Sequence, residues 1–215
     1  MQTEDIIQGT DEWQELRRGR ATGSNFDACL AQGKGSAEAA TRAQYRVRLA
    51  IERITGKVIE NNFKSPAMLG GTEQEPFARM AYESRTGHIV EEVPFIKHDF
   101  LMAGVSPDGL IGDDGMVEFK CPTPAVHWSY LQLTNKPPSE YKAQVYGQLW
   151  VAKRKWCDFV SYNPLFPEAL QLHIVRLYRD EDYIRELNDG VSKFLYDVDK
   201  TVVEMEALAK QRALS

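Results

Sequence analysis

Apolar and polar positions along this 215-residue chain switch between a helical and a strand period, and the order of the switches predicts a layered fold. Near the start the spacing predicts a helix over 11–18, with Thr10 as N-cap, Asp11 and Glu12 in the first turn and Gly19 as the stop. A second short helix starts near Ser24 and runs to about 31. Residues 32–36 read as a connection, and Ser36 is placed to cap a long helix that ends at Gly56. Residues 61–71 read as a loop before a helix over 73–85, closed by Gly87. The period then changes to two, and strands are predicted over 89–96, 101–105, 109–111 and 116–121. Helices over 124–133 and 139–152 follow, then strands over 156–162 and 170–177, then a long helix over 181–208. Helices bracket a central set of strands, which is an α/β (α+β) design. The length suits one domain over 1–215 with a helical extension from about 180.

Composition narrows this only slightly. Apolar residues make up 43% and charged residues 27%, enough for a buried core. The net charge of -5 excludes an overall basic coat for nucleic acid. It leaves room for a site that gathers carboxylates and confines its basic residues to one groove. Arg42, Arg46, Arg48, Arg53 and Lys57 on the long third helix are either a solvated face or a surface that meets DNA phosphates. The three cysteines and four histidines lack disulfide or zinc spacing, which fits a reducing cytoplasm. The polar, acidic first residues are unlike a secretory leader, and no apolar run approaches the roughly 20 residues of a membrane span.

The chemistry concentrates in residues 104–122. Two short strands flank the turn Gly112-Asp113-Asp114-Gly115. In the second strand alternation puts Val117 and Phe119 on one face and Glu118 and Lys120 on the other, with Asp108 arriving from the adjacent strand. Two close carboxylates repel unless a hard divalent cation sits between them, and oxygen ligands suit Mg²⁺. A neighbouring lysine can then orient water and stabilise charge developing on phosphorus oxygens. If the hairpin pairs evenly about Asp113-Asp114, however, Asp108 falls opposite Phe119. A convergent site therefore requires a bulge or an odd-length loop, and Pro107 and Gly109 offer a place for one. Spacing alone also fits an exposed hairpin with an acidic turn.

Ser106-Pro107-Asp108-Gly109, with Glu118-Phe119-Lys120 ten residues after the aspartate, resembles the PD-(D/E)XK nucleases. More narrowly it is similar to the lambda-type phage recombination exonucleases, the viral recombinase family. Trp13 to Gly19 followed by Thr22-Gly23-Ser24 resembles that family's W-x-x-x-R-x-G opening. Gly71 to Glu75 resembles its G-x-x-x-E helix start, and Tyr141 to Gln144 its Y-x-x-Q helix. The motifs occur in the family's order.

The resemblance implies a restriction-endonuclease-like core, a central mixed sheet flanked by helices. It implies Mg²⁺, with Mn²⁺ as a substitute and two ions in the active complex, held by Asp108, Glu118, Glu75 and the backbone carbonyl of Phe119. Lys120 would position the nucleophilic water, and Gln144 and Tyr141 would line the site. Arg17, Ser24 and Ser106 would hold a 5′-phosphate. Met68 and Leu69 are candidates for a wedge that splits the terminal base pair, or plain core residues; Arg42 and Arg46 are candidates for DNA contacts. Taken singly, Ser24 reads equally as an N-cap, Arg17 as a surface ion pair, and Glu75 as a first-turn acid with Glu73 as its rival. Pro76 implies that Glu75 lies at or before the first helical turn.

The activity implied is 5′→3′ degradation of one strand of linear duplex DNA from 5′-phosphorylated ends, in the cytoplasm of a bacterial host. The protein would be encoded by a phage or prophage, act as a ring-shaped homotrimer beside a single-strand-annealing protein, and involve no membrane. The competing readings are another PD-(D/E)XK endonuclease and a non-catalytic DNA-binding scaffold. Three cysteines do not suffice for an iron–sulfur variant.

Overall fold

The strand-period segments form two sheets in the computed structural model, which describes residues 6–35, 37–59 and 66–214, with backbone alone for 66–72. The larger sheet has the order β4 (Gly109–Ile111), β5 (Gly115–Lys120), β6 (Trp156–Tyr162), β7 (Leu172–Tyr178). Its β5–β6 pair is parallel and the outer two pairs are antiparallel. A parallel pair needs a long crossover, and α5 (Pro124–Tyr130) and α6 (Lys142–Val151) supply it. The smaller sheet pairs β1 (Ala21–Thr22), β3 (Ala103–Val105) and β2 (Ile96–Lys97), in that order. A mixed sheet flanked by helices matches the expected class.

Both faces of β5 and β6 are covered. Val117, Phe119 and Val160 pack under Ala78 and Tyr82 of α4 (Pro66–Thr86). Met116, Cys157 and Phe159 pack against Val145 and Leu149 of α6. A polar side chain on either face therefore needs a partner. Asp158 has two, a bidentate ion pair from Arg176 and a hydrogen bond from the Tyr82 hydroxyl at 2.6 Å.

A third core joins α2 (Phe26–Leu30), α3 (Ala40–Thr55) and α8 (Glu181–Ala213) through Phe26, Leu49, Leu187, Val191 and Phe194. The arginines of α3 reinforce it. Arg42 pairs with Asp197 at 2.7 Å and with Glu38. Arg46 pairs with Glu38 and donates to Thr201, and Arg53 pairs with Asp199 at 2.5 Å. The charge run is thus largely a seam between α3 and α8, and Arg42 and Arg46 are spent on it rather than left free for DNA phosphates.

Four expectations change. The strand over 89–96 shrinks to Ile96–Lys97 plus a bridge between Glu91 and Leu110. Pro94 cannot donate to a ladder, and its carbonyl accepts instead from Trp13 Nε1 and Ser106 Oγ. Helix α4 begins at Pro66, so residues 66–71 are helical where a loop was expected; residues 61–65 lie outside the described residues. It runs through Pro76, and Glu75 is therefore mid-helix rather than in a first turn. Burial of Ala78 and Tyr82 against the sheet outweighs the weak propensity of that stretch. The long helix expected from Ser36 begins instead at Ala40, with Ala39 at its N-cap, and Ser36 itself lies outside the described residues. Among the described residues no helix is long and apolar enough to cross a membrane.

Phe194 is fully buried. Phe194→Ala is expected to cost about 3–5 kcal/mol in urea unfolding. A loss below about 1 kcal/mol would show that α8 is not part of the core.

Candidate active site

Register decides whether the carboxylates meet. Gly109 pairs with Val117, Leu110 with Met116 and Ile111 with Gly115, leaving Gly112-Asp113-Asp114 as a three-residue loop. Gly112 takes a left-handed φ of 51°, which a glycine accepts without strain. The odd loop shifts the pairing by one residue from the even arrangement. One step beyond Gly109↔Val117, Asp108 comes level with Glu118. There Asp108 leaves the ladder, and its Oδ2 accepts the backbone N–H of Phe119 at 2.6 Å.

Glu118 is 1% exposed and would be intolerable there unpaired. Its Oε1 accepts from Lys120 Nζ at 2.5 Å and from Gln144 Nε2 at 2.6 Å, and its Oε2 accepts from Gln148 Nε2 at 2.7 Å. Gln144 and Gln148 are four apart on α6 and so share a face. A carboxylate offers about four lone-pair sites, so the three donors fix its orientation and leave one site on Oε2. The Lys120 ammonium also sits 4.8 Å from the centroid of the Tyr141 ring. Burial works against its charge, but Glu118 and Asp108 outweigh that and hold it above the usual lysine range. Gln148 was not singled out from the sequence. Its only signal there is the i+4 spacing from Gln144.

Excess negative charge remains. Burial, then Glu118 and Glu75, raise the Asp108 carboxyl well above its ordinary range against the opposing pull of Lys120. Burial, with a smaller contribution from Glu118, also raises Glu75, which Lys120 partly offsets. Both acids line a cleft of about 720 Å³ between α4 and the 92–94 segment, where Glu83 and Glu92 are paired with Arg79 and leave Asp108 and Glu75 as the acids without a cation of their own among the described residues. Among the described residues no three His, Cys, Asp or Glu side chains converge into a ready metal cage. Mg²⁺ does not need one, because it keeps several waters and takes one or two carboxylates. Hard oxygen donors carrying unrelieved negative charge fit such an ion.

The residues matched to phosphate binding fare unequally. Arg17 lies 4.0 Å over the Trp13 ring and makes no side-chain hydrogen bond or ion pair among the described residues. Burial pulls it down to about 10, and Arg48 nearby adds to the pull. A half-buried, unpaired guanidinium beside a second one suits an anion. Ser24 is exposed in the 3-10 turn Gly23–Asn25, and its hydroxyl accepts only from Asn25. Ser106 is committed: its Oγ donates to the Pro94 carbonyl at 2.8 Å and accepts from Trp13 Nε1 at 3.0 Å. It has no proton left for a phosphate oxygen. Trp13, unassigned from the sequence, thus ties Arg17 to Ser106. The backbone of Met68 and Leu69 is in α4, and their side chains lie outside the described residues.

The raised Asp108 carboxyl has a stability consequence. Its folded value lies above its unfolded value, so its contribution is lost as pH rises from the unfolded value through the folded one. At neutral pH, above its unfolded value, the raised carboxyl therefore costs the metal-free fold stability. Asp108→Asn, which can still accept from Phe119, is expected to melt higher than wild type in EDTA at pH 7–8. The gap should close as the pH falls. A lower melting temperature at neutral pH would show that the cluster carries no excess charge.

Comparison with known proteins gives the family and the fold. No curated protein matches the chain by sequence. The crystal structure of an alkaline exonuclease (LHK-Exo) from Laribacter hongkongensis is similar over 94% of this chain and 99% of that one, with 36% identity and a TM-score of 0.84. The same enzyme in complex with dAMP is similar over the same shares, with a TM-score of 0.85. A phage-related exonuclease from Haemophilus somnus shares the fold at 14% identity, covering 89% of this chain and 99% of that one, with a TM-score of 0.66. The family profile described as the YqaJ-like viral recombinase domain matches residues 12–155, which take in Trp13, Arg17, Asp108, Glu118, Lys120 and both glutamines of α6; the chain belongs to that family.

Proposed function

We propose that the protein is a Mg²⁺-dependent exonuclease that degrades one strand of linear duplex DNA 5′→3′ from 5′-phosphorylated ends, with Mn²⁺ as a substitute. The observation that carries this reading is the alignment of Asp108 with a Glu118 clamped by Lys120, Gln144 and Gln148, with Ser106 two residues away tied through Trp13 to Arg17.

Asp108, Glu118 through its remaining Oε2 site, the Phe119 carbonyl and Glu75 would hold the ions. When bound, Mg²⁺ supplies charge neutralisation and a more acidic water. Lys120 has three N–H donors and spends one on Glu118. The other two can hold the attacking water and a phosphoryl oxygen. The water oxygen bonds to phosphorus and gives up a proton, the P–O3′ bond breaks, and the departing 3′ oxygen takes up a proton. Gln144 and Gln148 position Glu118, and Tyr141 holds the Lys120 ammonium. Arg17 would take the terminal 5′-phosphate, with Ser24 beside it. The 3′ single strands left behind suit a single-strand-annealing protein in phage-type recombination. The likeness to LHK-Exo and the family's phage context support a bacterial cytoplasmic setting, and a homotrimer is the assembly in keeping with a lambda-type enzyme.

With Mg²⁺, linear duplex bearing 5′-phosphates is expected to be digested faster than duplex bearing 5′-hydroxyls, and closed circles are expected to be spared. Nicking of circles would indicate an endonuclease, and no cleavage with any divalent ion a binding scaffold. Asp108→Ala and Lys120→Ala are expected to abolish cleavage, a loss of at least about 10³-fold; wild-type rates from either would refute the assignment.

Arg17→Ala is expected to erase the preference for phosphorylated ends. Ser106→Ala, whose hydroxyl is already committed, is expected to alter it far less. The opposite ranking in a competition assay would place the phosphate against Ser106 instead.

A further inference from the structure

A separate concentration of cations lies at the other end of the small sheet. A cavity of about 300 Å³ opens where β1 and β3 begin, lined by Arg18, Arg20, Arg53, Lys97, Glu15 and Met102 among others. Strands β1 and β3 run parallel, away from this cavity and toward Ser24 and Ser106. It is therefore set back from those residues by the length of β3, about 10 Å. Lys97 reaches the same end because β2 runs antiparallel to β3, with Lys97 opposite Gly104.

The charge there is unbalanced. Glu15 is the only acid among these lining residues, and Arg18 Nε takes it at 2.8 Å. Arg20 and Lys97 make no side-chain hydrogen bond or ion pair among the described residues, and burial lowers Arg20. Arg53 is held rigidly. Its Nε donates to the Gly19 carbonyl at 2.8 Å and its Nη1 to Asp199 at 2.5 Å, while its Nη2 is buried with no partner. Gly19 makes that pose possible. It has a φ of 67°, and a Cβ there would stand 2.8 Å from Arg53 Cγ.

A buried N–H with no acceptor is costly, and so are like charges gathered without a counter-charge. The cost of the gathered charges falls when an anion with several oxygens enters between them. Arginine forks fit phosphate in particular. We propose that this cavity is a second phosphate site, distinct from the hydrolytic centre, that holds a phosphate of the nucleic acid. The identity of the ligand rests on the nuclease reading above. The phosphate belongs either to the strand backbone or to a released nucleotide, and the two sources are separable by experiment.

The test is equilibrium binding in EDTA, where nothing is cut. Duplex affinity is followed against salt for wild type and for Arg20→Ala/Lys97→Ala, while inorganic phosphate and dAMP are titrated in parallel. Each lost phosphate contact flattens the log–log salt slope by about 0.9. The double variant is expected to flatten it by about one to two, and Arg20→Lys/Lys97→Arg to restore it. Loss of inorganic phosphate or dAMP binding with an unchanged duplex slope would instead assign the site to released nucleotide. Neither side chain bonds to another described residue, so the melting temperature is expected to hold. Should the double variant unfold, Lys97→Gln alone at the exposed rim gives the same readout. Equal slopes and equal small-phosphate binding would overturn the proposal and leave the nuclease reading standing. A wild-type protein that binds no DNA would overturn both.

Discussion

Burying one carboxylate in a sheet covered on both faces constrains much of the rest of this molecule. Glu118 sits where β5 is sealed by α4 on one side and α6 on the other, and water is not available to solvate it. Three donors converge on it and take up its oxygens. Two come from one face of α6, so α6 must lie over β5 in a single rotational setting. The crossover that makes β5 and β6 parallel delivers α6 to that place. The third donor is Lys120, two residues along the same strand, held over the Tyr141 ring. Sheet order, helix rotation and strand alternation thus meet at one pair of oxygens.

Much of this was legible from the sequence, and the exceptions have physical reasons. The two faces of β5 follow from a period of two, which needs no knowledge of partners. The register did not follow, because Gly112-Asp113-Asp114-Gly115 is compatible with an even or an odd loop, and the parity is settled only by how the strands pair. Gln144 came with the family resemblance. Gln148 escaped notice because one glutamine in a buried helix makes no periodic pattern; its meaning depends on Glu118, 30 residues away. The start of α4 was hidden by Gly70, Gly71 and Pro76, which read locally as breakers and are overridden by packing. The roles of Arg42 and Arg46 were ambiguous for the same reason as Gln148. Their partners on α8 lie 155 residues away.

Charge placement also reconciles the acidic composition with the proposed activity. The arginines of α3 that looked like a DNA-facing stripe are mostly neutralised at the seam with α8. Among the described residues, Arg17 over Trp13, and Arg20 and Lys97 at the far end of the small sheet, are cations without an ion pair that line a cavity or an aromatic face. The carboxylates are concentrated as well, in the cleft beside Asp108 and Glu75. A net charge of -5 is therefore an average over regions of opposite sign, and says little about either.

The step from Ser106 to Asp108 deserves a mechanical reading. Ser106 is pinned by Pro94 and Trp13, and Trp13 in turn carries Arg17. Pro107, between them, has its φ fixed by its ring, and Asp108 is pinned by the Phe119 amide. On the proposed roles, the Arg17 grip on a strand's end reaches the carboxylate beside the bond to be cut through the Trp13 ring, its hydrogen bond to Ser106, and then two residues of backbone, about 7 Å. Such a link works as a ruler. The size of the piece removed would be set by this chain of packed and hydrogen-bonded contacts, and each cut would leave an end for the same ruler to measure again.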